Sequence, residues 1–159
     1  MKVLIIEDER EIARALSEDL KKLQPQIEIV GVTSDISSSI SAINSNKDLD
    51  VIFADIKIDD GMSFRVFEQV DTEATVVFTT AYDEYALKAF DYNCIDYLLK
   101  PISIEGLQRA LQRCEKRLSP IDHKDLRRIS SEIISGAIGY KKKIILEKGQ
   151  DTVIRSVAD

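Results

Sequence analysis

Four short apolar runs in this chain of 159 residues end in polar side chains able to do chemistry. Val3-Leu4-Ile5-Ile6 runs into Glu7-Asp8, and Val51–Ala54 runs into Asp55. Thr75–Phe78 runs into Thr79-Thr80, and Ile95–Leu99 into Lys100-Pro101. Three carboxylates held at close quarters repel one another and resist ionising together unless a cation joins them. A hard divalent ion resolves that conflict, and Mg²⁺ favours a few carboxylates with waters and phosphate oxygens. Aspartate is a competent nucleophile towards phosphorus and forms an acyl phosphate. A metal and the Lys100 ammonium would neutralise charge on the equatorial oxygens in such a transfer, with Thr80 donating a hydrogen bond to one of them. Taken one at a time, these residues have plainer readings. Asp8 or Thr80 would cap the following helix, and Lys100 would be a surface lysine. The joint pattern at four successive run ends is what points to chemistry.

The elements that must position these residues are legible in the hydrophobic pattern. The runs Val3–Ile6, Ile27–Val32, Val51–Ala54, Thr75–Phe78 and Ile95–Leu99 are rich in branched residues and have strand length. Between them Ile12, Leu16, Leu20 and Leu23 recur at helical spacing, as do Ile36, Ile40 and Ile43. Phe64, Phe67 and Val70 follow the same rule, then Leu87 and Phe90. Ile104, Leu107, Leu111, Cys114 and Leu118 predict a long amphipathic helix. Five strand–helix units in succession predict an α/β fold, a parallel sheet with helices on both faces. Continuous apolar runs suit strands buried on both faces, whereas the alternation at Ile27-Glu28-Ile29 suggests an edge strand. Parallel strands bring their carboxyl ends to one edge of the sheet, where ligands bind in open α/β folds.

Composition bounds the function. Hydrophobic content of 44% and charged content of 31% are those of an ordinary globular protein. A net charge of −6 argues against nucleic-acid binding by this chain as a whole. No apolar run approaches the roughly 20 residues that span a bilayer, so no membrane is expected as a partner. Cys94 and Cys114 have no CxxC spacing and no clustered histidines, which disfavours a zinc site and fits a reducing cytosol. The expected location is cytoplasmic.

Beyond Leu118 the pattern breaks at Ser119-Pro120. Residues 119–139 read as a polar linker, partly helical through Leu126, Ile129, Ile133 and Ile134. Residues 140–159 read as a hairpin: Ile144-Ile145-Leu146, the turn Lys148-Gly149-Gln150-Asp151, then Thr152-Val153-Ile154. A lone hairpin is marginal in water, so the chain is expected to stop inside a second, truncated β domain, with this tail unprotected or docked elsewhere.

Residues 1–118 resemble the receiver domains of bacterial two-component response regulators. The matching stretches are the apolar strand into Glu7-Asp8-Glu9, Asp50-Val51-Ile52-Phe53-Ala54-Asp55, Thr80-Ala81, and Asp96-Tyr97-Leu98-Leu99-Lys100-Pro101. The resemblance implies a flavodoxin-like (βα)5 sheet of order 2-1-3-4-5, the order the chemotaxis receiver takes as a general example of the fold. It implies Asp55 as phosphoacceptor and Mg²⁺ held by Glu7, Asp8, Asp55 and the backbone carbonyl of Lys57. It implies Thr80 as switch hydroxyl, Tyr97 as switch aromatic, Lys100 as the phosphate-contacting lysine and a cis Lys100–Pro101 peptide. A sensor histidine kinase is the implied phosphoryl donor. Phosphorylation is expected to alter the face of the fourth helix, fifth strand and fifth helix, with homodimerisation through it. Lys88, Asp96, Arg109 and Arg113 are expected on that surface. Many receivers carry a proline four residues after the acceptor; here Ile56-Lys57-Ile58-Asp59-Asp60-Gly61 has none, yet Asp59-Asp60-Gly61 is a competent turn.

A narrower resemblance joins Thr79–Phe90 to receivers attached to LytTR DNA-binding domains, and Tyr140–Asp159 to the opening strands of that domain. It implies 1–118 as receiver, 119–139 as linker and 140–159 as an output-domain fragment. The parent protein would then regulate transcription and bind DNA, which the fragment would not. The expected chain is no general enzyme, catalysing only its own phosphotransfer and autodephosphorylation. Three other functions fit less well. An aspartyl phosphatase of the haloacid-dehalogenase type wants a second aspartate where Lys57 stands. A dinucleotide-binding domain wants a glycine-rich first turn where Glu7-Asp8-Glu9-Arg10 repels phosphate. A pseudo-receiver, the remaining alternative, would not need Glu7, Asp8, Asp55, Thr80 and Lys100 all intact. Lys141-Lys142-Lys143 reads as a solvated strand start and His123 as a linker residue. Cys94 and Cys114 read as small packing residues. Tyr82, Tyr85 and Tyr92 surround the fourth helix, by packing or as a partner surface.

Overall fold

A computed structural model describes residues 1–118 and 131–136 of the chain. Strand β1 (Lys2–Ile6) leads to helix α1 (Arg10–Leu23), β2 (Glu28–Thr33) to α2 (Ile36–Ser45), and β3 (Val51–Ala54) to a small hairpin, β4 (Lys57–Ile58) with β5 (Gly61–Met62). Then come α3 (Phe64–Phe67), β6 (Thr75–Thr80), α4 (Ala86–Ala89), a 3₁₀ turn (Phe90–Tyr92), β7 (Cys94–Leu99) and α5 (Ile104–Leu118). The five long strands form one parallel sheet of order β2-β1-β3-β6-β7. Setting the hairpin aside, this is the expected order 2-1-3-4-5. The edge position expected for the second strand holds, with Val32 on it 49% exposed.

Successive side chains of a strand point to opposite faces, and here both faces are covered. Val3, Ile5, Val51, Phe53 and Val77 pack with Leu16 and Leu20 of α1 and Leu107 and Leu111 of α5. Leu4, Ile6, Ile52, Ala54 and Phe78 pack on the other side with Ile36, Ile43 and Phe64. Phe53 is fully buried at the centre of β3. Phe53→Ala should therefore cost about 3–5 kcal/mol. It should lower the urea midpoint without changing the slope; an unchanged midpoint would refute this packing.

Caps set several helix ends. The Asp35 carboxylate accepts from the Ser38 N–H at 2.8 Å and starts α2, and the Ser103 hydroxyl accepts from the Gly106 N–H at 3.0 Å and starts α5. A side chain at Gly106 would meet Ser103 Oγ at 2.9 Å, so a larger residue there would have to displace the capping hydroxyl. The helices α3 and α4 are shorter than their apolar spacing suggested, at four residues each. Asn93 adopts the left-handed region at φ 56° and turns the chain directly into β7. In so short a helix Ala89 takes the inward position and Leu87 stays 40% exposed. In α5 the inward face is Leu107, Ala110, Leu111 and Cys114, while Ile104 and Leu118 at its ends remain exposed. Among the described residues no helix is long and apolar enough to cross a membrane.

Residues 131–136 form a further helical segment, of which Ile133 is buried. The expected hairpin at 140–159, with Lys141-Lys142-Lys143, and His123 lie outside the described residues.

Candidate phosphoryl-accepting site

The sheet's hydrogen-bond ladder runs one residue past three strands and so pins the polar residues that follow them. The Glu7 N–H donates to the Thr33 carbonyl, the Asp55 N–H to the Ile6 carbonyl and the Lys100 N–H to the Thr80 carbonyl, each at 2.8 Å. Parallel strands place these ends on one edge. There, carboxylate oxygens of Glu7, Asp8 and Asp55 lie within 4.8 Å of one another. Lys100 Nζ bridges two of them, at 2.5 Å from Glu7 Oε2 and 2.8 Å from Asp55 Oδ2. The Lys100–Pro101 peptide is cis, as the resemblance implied.

Burial sets the electrostatics. Glu7 is 3% exposed and Asp55 7%. Burial pushes the Glu7 carboxyl up to about 7, against the Lys100 and Glu9 N–H hydrogen bonds that favour its charged form. Burial also works to lower the Lys100 ammonium, but the Asp55 and Glu7 carboxylates outweigh it and hold Lys100 above its ordinary value. Asp55 Oδ2 is taken by Lys100, whereas Asp55 Oδ1 is buried with no hydrogen-bond partner. A buried, unpaired carboxylate oxygen is costly, and here it stands beside two further carboxylates. Hard oxygen donors, an excess of negative charge and an orphaned oxygen suit a divalent cation such as Mg²⁺.

The other expected site residues fall at different distances from this cluster. Thr80 is fully buried at the end of β6, where its hydroxyl accepts from the Tyr82 N–H at 3.3 Å. Lys57 begins β4 two residues after Asp55, and its exposed ammonium lies 3.9 Å above the Tyr82 ring. Tyr97 sits on β7, three residues before Lys100, and its hydroxyl donates to the Tyr82 carbonyl. That bond ties it to the loop after Thr80. Tyr85 and Tyr92 pack on Phe64, at ring separations of 6.3 and 5.0 Å. Cys114 is buried and Cys94 partly so, and burial pushes both thiols up to about 12.

Asp96 corrects the expectation of a surface charge. It is 4% exposed and accepts from Arg109 Nε at 3.1 Å, with Arg113 Nη1 at 3.2 Å. The signal was present in the sequence: an acid inside the apolar stretch Ile95–Leu99, and two arginines four apart on one helix face. Lys88 is exposed as expected, its ammonium 5.0 Å above the Phe64 ring.

Comparison with known proteins gives the same outline. The family profile of the response regulator receiver domain matches residues 3–112. A response regulatory protein of Vibrio cholerae is 38% identical over 128 residues, covering 79% of this chain and 53% of that protein. Transcriptional regulatory protein BtsR of Escherichia coli is 38% identical over 124 residues, 77% of this chain and 51% of BtsR. Sensory transduction protein LytT of Bacillus anthracis aligns with all of this chain at 29% identity, across 67% of its own length. The chain thus spans about half the length of most curated relatives it matches. Among solved structures, the response regulatory domain of mrkE from Klebsiella pneumoniae is similar at TM-score 0.65 and 33% identity, covering 72% of this chain and 95% of that one. A CheY-like receiver domain from Methylobacillus flagellatus has the same fold at TM-score 0.61, with 72% of this chain covered and 98% of that one.

Proposed function

The chain belongs to the response regulator receiver domain family, and from that premise we propose that it accepts a phosphoryl group on Asp55 from a sensor histidine kinase. The observation that carries this reading is Asp55 Oδ1, a buried oxygen without a partner, at the strand edge where Glu7, Asp8 and Lys100 converge. Asp55 Oδ1 forms the new bond to phosphorus while the bond from phosphorus to the donor breaks, leaving an acyl phosphate on the carboxyl and the freed donor. Lys100, already hydrogen-bonded to Oδ2, is placed to offset charge on the transferred group. The Thr80 hydroxyl, whose oxygen accepts from the Tyr82 N–H, keeps its own proton to donate to an oxygen of the transferred group. Glu7, Asp8, Asp55 and the Lys57 carbonyl are the groups that would hold Mg²⁺, which supplies positive charge against both the carboxylates and the phosphoryl oxygens.

The rest of the reading concerns the larger protein. Thr80 and Tyr97 act as the switch, and the α4–β7–α5 face passes the change on, by homodimerisation, to a LytTR-type DNA-binding output domain beginning near 140. In this reading the protein is cytoplasmic, the full-length parent binds DNA and regulates transcription, and the receiver catalyses only its own phosphotransfer and autodephosphorylation. The identity with LytT along the whole chain supports an output of this kind. The complete set of Glu7, Asp8, Asp55, Thr80 and Lys100 favours phosphorylation over a purely interacting pseudo-receiver. Acetyl phosphate with Mg²⁺ should add the mass of one phosphoryl group, and chelation by EDTA should prevent it. Equal labelling with and without EDTA would defeat the metal assignment; none in either would defeat the acceptor.

A further inference from the structure

The helical segment 131–136 is seated on the face made by α4, β7 and α5. Its Ile133 is 9% exposed and belongs to the same core cluster as Leu98, Leu107 and Leu111. Glu132 Oε2 accepts from Arg113 Nη2 at 2.8 Å. With Phe90, Tyr97, Leu99 and Arg109, these two residues line a groove of about 260 Å³. Ser131, Ile134 and Ser135 around them are exposed, so among the described residues Ile133 and the Glu132–Arg113 ion pair anchor the segment.

The groove is also wired to the phosphoryl-accepting edge. Tyr97 forms part of its wall, and the Tyr97 hydroxyl is bonded to the Tyr82 carbonyl. The Tyr82 N–H is in turn bonded to the Thr80 hydroxyl. A phosphoryl oxygen that draws the Thr80 hydroxyl away frees the Tyr82 loop, and with it the anchor of the Tyr97 ring. Arg113 contributes a second link, because it divides its guanidinium between Glu132 and the buried Asp96, on the same strand as Tyr97, a strand that ends one residue before Lys100.

We propose that residues 131–136 are an intramolecular strap, docked on the α4–β7–α5 face of the unphosphorylated chain through Ile133 and Glu132 and released when Asp55 is occupied. This rests on the acceptor reading of Asp55. The strap covers the face that would otherwise meet a second copy or an output domain. Coupling between two sites is reciprocal in binding free energy. If occupancy of Asp55 releases the strap, then weakening the strap must tighten binding at Asp55.

The test is a titration of the full 159-residue chain with beryllofluoride and Mg²⁺, followed by ¹⁹F NMR. Wild type is compared with Ile133→Asp, which cannot leave its charge buried, and with Glu132→Lys, an exposed change that repels Arg113. Circular dichroism should show the same fold in all three. Both variants should bind about fivefold tighter or more, the lower end of ordinary allosteric coupling. Equal affinity in all three chains, or weaker binding by the variants, overturns the strap and leaves the acceptor reading standing. No binding by any of them overturns both.

Discussion

Asp55→Asn should abolish phosphoryl labelling by acetyl phosphate in the presence of Mg²⁺. The substitution keeps the size of the side chain and an oxygen able to accept from Lys100, so the bridge at 2.8 Å has a substitute partner. It removes the nucleophile, because an amide oxygen does not form a stable acyl phosphate. Glu7 and Asp8 stay in place, so a chain labelled indiscriminately on its acidic edge would still take up phosphate. Mass spectrometry of intact protein and of the peptide spanning 50–60 separates these outcomes. Labelling of the Asn variant at the wild-type level would move the acceptor elsewhere. The variant should fold normally, since Asp55 is held by its backbone bond to Ile6 and by its place at the end of β3.

Lys100→Met should have the next largest effect, on both transfer and stability. Lys100 contacts two buried carboxylates at once. Removing a preorganised charge partner from a water-excluded site typically slows a reaction by about 10²–10³, and acetyl phosphate labelling should fall accordingly. Stability changes because an ion pair broken on one side strands a buried charge, at a cost of about 3–5 kcal/mol. Glu7 can escape part of that cost by taking up a proton, since burial already pushes it up to about 7. A carboxyl whose folded-state value lies above its unfolded one adds stability below the unfolded value and loses it as pH rises through the folded one. In EDTA the deficit of Lys100→Met relative to wild type should therefore be small near pH 5 and larger near pH 8. Urea midpoints at the two pH values measure it. A deficit independent of pH would show that Glu7 is not the group left stranded.

How much of this was legible in the sequence depends on the range of the interaction concerned. The strand Val51–Ala54 and the helix Ile104–Leu118 stand where their patterns put them, because period and branching act between near neighbours. The sheet order followed from the family resemblance, and the edge strand from its alternation. The turn at Asp59-Asp60-Gly61 was legible as a turn, though not as the hairpin β4–β5, in which Gly61 takes φ 147°. The convergence of Glu7, Asp8, Asp55, Thr80 and Lys100 was readable because strand polarity alone carries every carboxyl end to one edge.

What only the tertiary structure decided is which of these groups touch. Glu7 and Lys100 are 93 residues apart, and no local rule states that one ammonium serves both Glu7 and Asp55 while leaving Asp55 Oδ1 bare. The burial of Asp96 under Arg109 and Arg113 depends on how α5 crosses β7, which the sequence of neither element specifies. The same holds for Ile133, whose place against the α4–β7–α5 face comes from a groove assembled by three other segments. Periodicity tells a residue which way to face along its own element. Its partner is chosen by packing between elements, where distance along the chain carries no information.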